Sequence, residues 1–183
     1  MSGRFVAGCG VVVLSAVLAG GQVRSGLRAQ APQAGRDAEG LAARVEALEA
    51  REAIRTLYAE YGRTLDARDF QAFSRLFARD AEYGSAKGPA AIGAFLEKAI
   101  GTNYPDSKGK NYHLYFNESI DVQGDHGTGI SKGGYVMATA DNSKADFLLL
   151  ATYRDEYVKE DGRWKFKRRQ TIGEIPVPRT PSR

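Results

Sequence analysis

Cysteine is nearly absent from this chain of 183 residues: the single one, Cys9, sits inside a leading apolar segment. That excludes a disulfide framework, a thiol nucleophile and any cysteine-containing zinc site in the body of the protein. Histidine is almost as scarce. With only His113 and His126, a three-histidine metal site is impossible. No EF-hand loop or HExxH pattern occurs, and no metal or other cofactor is expected. An excess of one charge is missing too. The formal net charge is +4, but Arg4, Arg24 and Arg28 lie in the acid-free residues 1–31, leaving 23 basic against 22 acidic residues. So neutral a body argues against a phosphate-binding surface, and nucleic acid is not an expected partner. Lys165-Phe166-Lys167-Arg168-Arg169 alternates like a strand with one solvated face. Gly127-Thr128-Gly129 has no helix after it and is no dinucleotide loop. No internal repeat or low-complexity tract appears.

What is present begins with a leader. Arg4 precedes the mostly apolar run Phe5 to Gly20, and small residues end at Ala29-Gln30-Ala31. A basic start, a short apolar run and an A-x-A site make residues 1–31 a secretory signal peptide. The expected location is secreted or periplasmic, without stable membrane insertion once the leader is cleaved. The alternative is an uncleaved N-terminal anchor, at the lower limit for spanning ~30 Å of hydrocarbon.

Residues 32–39 read as a linker and 40–66 as a long helix. Leu41, Val45 and Leu48 follow the helical period; Ile54, Leu57, Tyr58, Tyr61 and Leu65 resume it after a phase slip. The first three could seed a coiled coil, although they span under two heptads. A second helix carries Phe70, Phe73, Leu76 and Phe77, with Asp66 or Asp69 as N-cap. A brief strand near 81–83 and a third helix, about Pro89 to Ile100, follow. Periodicity then changes. Runs at 112–123, 127–140, 145–158 and 163–175 read as strands separated by turn clusters. Helices first and strands afterwards mean an α+β fold with a mainly antiparallel sheet. Pro176, Pro178 and Pro181 make 176–183 a loose tail.

The body, residues 40–175, resembles the SnoaL-like branch of the nuclear-transport-factor-2-like superfamily. The motifs that carry the resemblance are Leu65-Asp66-Ala67-Arg68-Asp69-Phe70, Leu76-Phe77-Ala78-Arg79-Asp80-Ala81-Glu82-Tyr83, and His113-Leu114-Tyr115-Phe116-Asn117. Tyr153-Arg154-Asp155 and Asp161-Gly162-Arg163-Trp164-Lys165-Phe166 complete it. The resemblance implies a cone: three N-terminal helices close one side of a curved sheet around a pocket. It also suggests a homodimer through the exposed sheet face. Members include dehydratases, isomerases and modules that only bind or oligomerise, and fold alone does not choose among them.

His113, Tyr115 and Asn117 share one face of their strand by alternation, and the resemblance puts His113 inside the cone. Its imidazole would serve as general base or acid; the plainer reading is a structural histidine bonded to a carboxylate. In scytalone-dehydratase-like members an aspartate matching Asp66 orients the histidine. A tyrosine matching Tyr83 binds the water that polarises the substrate carbonyl. A second histidine of those enzymes has no counterpart in the strand near 131–140. Tyr61 is spaced like the oxyanion-hole tyrosine of ketosteroid isomerases. Their base aspartate has no counterpart in Tyr83-Gly84-Ser85, and their second oxyanion-hole acid falls near Arg154 or Asp155. The catalytic candidates are thus His113, Asp66, Tyr83 and Tyr61. The candidates for ligand contact are Tyr58, Tyr115 and Asn117, with Tyr58 and Tyr61 equally open to reading as core aromatics. Two functions follow. One is a cofactor-free dehydratase or isomerase acting on a small cyclic or aromatic carbonyl compound. The alternative is a non-catalytic module binding a small apolar molecule, or oligomerising, through the same pocket.

Overall fold

The computed structural model describes residues 31–103 and 110–175. It divides into two compact units, residues 1–40 and 41–183. The expected signal peptide, save Ala31, and the expected tail lie outside the described residues. No described helix is long and apolar enough to cross a membrane.

Helix α1 runs Ala31–Asp66. The stretch read as a linker is therefore helical from Pro32 onward. Proline is tolerated in a first helical turn, where its missing N–H would have no partner in any case. Within the second unit, Ile54, Leu57, Tyr58, Tyr61 and Leu65 are buried on one side of α1. After it come α2 (Phe70–Ser74), strands β1 (Phe77–Tyr83) and β2 (Ala86–Lys87), and α3 (Pro89–Asn103). Asp69, not Asp66, caps α2, its carboxylate accepting from Ala72 N at 2.8 Å. Phe77 does not continue that helix. It opens β1, because Phe166 N donates to Leu76 O at 2.9 Å and draws the chain into the sheet.

Strands β3 (Asn111–Gln123), β4 (His126–Ala138), β5 (Ala145–Glu160) and β6 (Arg163–Ile175) fall where the turn clusters predict them. The six-stranded sheet has the order β2-β1-β6-β5-β4-β3, antiparallel except where β1 meets β6. It is curved and unclosed, and register shifts break each of the long pairings. Bulges add twist and bend to a strand, which turns this sheet around the buried side of α1. Phe73 and Phe77 join Ile92, Leu96 and Ile100 of α3, together with Tyr157, Trp164 and Phe166, in one core. The opposite, outer face exposes Tyr112, Leu114, Phe116, Ile130 and Ile172.

Glycine has a packing role in β4. A Cβ at Gly129 would sit 2.6 Å from the Tyr157 hydroxyl, and one at Gly133 would sit 2.6 Å from Tyr153 Cε2. The glycines of the Gly127-Thr128-Gly129 stretch make room for tyrosine rings.

Candidate active site

Asp66 is the last residue of α1, and the strand carrying His113 passes beside it. Helix and strand come close here: a Cβ at Gly62 would lie 3.4 Å from both the Cβ and the carbonyl oxygen of His113, an ordinary contact. The Asp66 carboxylate grips the histidine twice. Oδ2 accepts from the His113 backbone N–H at 3.1 Å, and Oδ1 lies 2.6 Å from Nδ1. An ionised carboxylate can only accept, so Nδ1 carries a proton, and in the neutral imidazole Nε2 is then the nitrogen with the lone pair. No hydrogen bond engages Nε2 among the described residues. The side chains of His113 and Asp66 are 11% and 24% exposed, so the pair is reachable from solvent.

The tyrosines divide into two groups. Tyr61, buried on α1, meets the His113 ring edge-on at 6.2 Å between centroids. Its hydroxyl lies 3.2 Å from that of Tyr83, which lies 2.8 Å from Thr171 Oγ1. Burial, reinforced by Tyr83 and Tyr115, pushes the Tyr61 phenol well above its ordinary value, so it remains a neutral donor. His113, Asp66, Tyr61 and Tyr83 therefore form one contiguous group. Tyr58 belongs elsewhere. Its hydroxyl donates to Asp155 Oδ2 at 3.0 Å and shares a close hydrogen bond with Tyr157. Burial, followed by the Asp155 charge, pushes Tyr58 up to about 12.

Asn117 does not join the site. It stands at the bulge of β3 with φ 54 and is exposed, because the register shift between Phe116 and Ser119 ends the alternation begun at His113. Tyr115 stays on the inner face, 5.3 Å from the Tyr153 ring and 5.9 Å from Tyr61.

Several residues escaped the sequence reading. Tyr135 lies directly across from His113 in the β3–β4 register, with ring centroids 4.6 Å apart. Arg68, held at φ 58, donates to Tyr135 Oη at 3.1 Å and to Asn111 Oδ1 at 3.2 Å. Of the two positions the resemblance offered for a second oxyanion-hole acid, Asp155 is buried and Arg154 is exposed. Deeper still is Arg169, fully buried, with its guanidinium carbon 4.1–5.4 Å from the centroids of Tyr58, Tyr61, Tyr115, Tyr153 and Phe166. Its Nε is 3.4 Å from Asp155 Oδ1, yet no described residue accepts a well-directed hydrogen bond from it. Cation–π attraction and one carboxylate hold this charge in the core.

Chemically, the arrangement can remove a proton at Nε2, stabilise the resulting imidazolium through Asp66, and offer phenolic donors to an oxygen that gains charge.

Residues 46–170 match the family model described as a SnoaL-like domain. No curated protein matches the sequence. Among solved structures, a nuclear-transport-factor-2-like protein with a cystatin-like fold from Novosphingobium aromaticivorans is 26% identical, with a TM-score of 0.62. That match covers 75% of this chain and 90% of the other. A provisionally designated scytalone dehydratase from the same organism is also 26% identical, with a TM-score of 0.57, covering 70% of this chain and 86% of the other. ActVI-ORFA from Streptomyces coelicolor, at 20% identity and a TM-score of 0.62, shares the fold across 70% of this chain and 98% of its own.

Proposed function

The chain belongs to the SnoaL-like domain family, and from that membership and the site geometry we propose a cofactor-free dehydratase or isomerase of small cyclic or aromatic carbonyl compounds. The observation that carries the proposal is the Asp66–His113 clamp, 2.6 Å at Nδ1, with Nε2 unengaged and Tyr61 against the ring. The likeness to a provisionally designated scytalone dehydratase supports the same class. In this reading the substrate docks against the part-exposed side chain of His113, with Tyr61 and Tyr83 next in the group. His113 Nε2 takes the proton from the carbon next to the carbonyl. The C–H electron pair moves into an enolate whose oxygen accepts from a phenol. Two outcomes balance. In a β,γ-unsaturated ketone, return of the proton to the γ carbon gives the conjugated isomer; in a β-hydroxy ketone, its delivery to the hydroxyl releases water and yields the enone.

The test is turnover of a panel of cyclic β,γ-unsaturated ketones and β-hydroxy ketones by wild type and His113→Gln. General acid–base catalysis contributes about 10²–10⁴-fold, and the variant should lose that much while still binding. Equal turnover would return His113 to a structural role.

One observation favours the second reading, a binding module without chemistry: Asp66 holds both the backbone N–H and the ring of His113, as a structural histidine would be held. That reading expects a ligand at 100 times its Kd to stabilise the fold by about 2.7 kcal/mol, and so to raise the melting temperature, with no substrate consumed.

Export and a homodimer through the outer sheet face belong to the same proposal. A mature N-terminus near Pro32 supports export, and an intact Met1 in membrane fractions contradicts it. Phe116→Glu should dissociate the sheet contact in sedimentation.

A further inference from the structure

The two apolar sets of α1 lie on opposite sides of one continuous helix. At about 100° per residue, Leu41, Val45 and Leu48 fall within a sector of about 60°. Ala43, Ala47 and Ala50 occupy the opposite side, in line with buried Ile54 and Leu57. Alanines thus face the side that becomes core, while the larger aliphatic chains point away, 58%, 43% and 62% exposed. Nothing among the described residues covers them.

We propose that this stripe is a two-stranded parallel coiled-coil seam, occupied by the same segment of a second copy of the chain. Spacings of four and three residues place Leu41 at d, Val45 at a and Leu48 at d. A β-branched residue at a with leucine at d favours two parallel strands. The flanking charges select the same register. Arg44 then stands at g and Glu49 at the following e, both exposed, and in a parallel pair a g residue faces the partner's e residue five positions on. Arg44 meets the partner subunit's Glu49, and the symmetry repeats the pair. So short a helix would be marginal alone. Here the packed turns from Ile54 to Asp66 already nucleate it. The seam is separate from the catalytic group and does not depend on the reaction proposed above.

The test is the mass of the full chain in sedimentation, with circular dichroism to check folding. Leu41→Glu with Leu48→Glu sets four carboxylates in the seam and should halve the wild-type mass with helicity retained. Arg44→Glu should weaken association several-fold, and Arg44→Glu with Glu49→Arg should restore it. Direction is read by oxidation in a Cys9→Ser background. Leu41→Cys and Leu48→Cys should each cross-link to itself, as facing d positions allow. A wild-type monomer overturns the proposal, as does an unchanged mass in the double glutamate variant. Cross-linking only in a mixture of the two cysteine variants also overturns it, since that marks an antiparallel pair.

Discussion

Arg169→Met removes the buried cation and leaves Asp155 facing Tyr58 and Tyr157 with no opposing charge. The wild-type pair is fully buried, with Nε 3.4 Å from Oδ1. Removing one partner of such a pair costs about 3–5 kcal/mol, whereas replacing both by apolar residues is often neutral or better. Against a total stability of about 5–15 kcal/mol, the single variant should lose a fifth or more, or about 6–20 °C in Tm. Asp155→Leu with Arg169→Met should recover most of that loss. The pH dependence gives a second check. Burial raises the Asp155 carboxyl above its ordinary value, and Arg169 opposes that rise. A raised carboxyl holds more protons in the folded state than in the unfolded one. Its contribution is therefore most favourable below the unfolded value and declines as pH rises through the folded one. Without Arg169 the folded value climbs further. The deficit of Arg169→Met relative to the double variant should shrink as pH falls from 7 towards 4. Urea midpoints with unchanged m-values measure all of this. If the double variant's loss equals the sum of the two single losses, the buried pair is not coupled and the reasoning fails.

Three further expectations are independent of that one. Asp66→Asn frees Nδ1 from its acceptor-only partner and should lower turnover about 10²–10⁴-fold, visible in kcat with KM little changed. Tyr83→Phe deletes the hydroxyl joining Tyr61 to Thr171 and should cost about 1 kcal/mol by urea titration. Gly133→Ala places a methyl 2.8 Å from the Leu114 carbonyl oxygen, a backbone atom that cannot rotate away. It should destabilise by about 1–3 kcal/mol in thermal melts, and an unchanged Tm would contradict the packing described for β4.

The late strands are legible because turn chemistry marks their ends. Gly124, Asn142, Asp161 and Gly162 all adopt positive φ between them. The phase slip in α1 is equally legible and corresponds to two opposite faces. Phe77 misleads because Phe73, Leu76 and Phe77 fit a helical period, and only a distant partner, Phe166, makes the last one a strand residue. The start of α1 misleads because Pro32 and Gly35 suggest a linker, although proline suits a first turn and a glycine costs a helix only about 1 kcal/mol.

The site is half legible for a single physical reason. Alternation carries correctly from Ala151 through Tyr153 and Asp155 to Tyr157, all buried; the inward aspartate was there to be found. Alternation fails at bulges. In β6, Tyr157 pairs with Phe166 but Glu156 pairs with Arg168, so Lys167 is an extra residue. Parity flips there, and Arg169 turns inward where simple counting selects Arg168. The same flip in β3 sends Asn117 outward. The Asp66–His113 contact joins residues 47 apart, and family resemblance, not spacing, indicated it.

In the proposed mechanism His113 Nε2 takes a proton from carbon, and that proton can exchange with solvent. Exchange of α-protons of small cyclic ketones in deuterium oxide, followed by proton NMR, measures that step without requiring the full reaction. Wild type should accelerate the washout of at least one panel member, with His113→Gln slower by about 10²–10⁴-fold. Exchange at equal rates with the two proteins would contradict a proton-transfer role for His113.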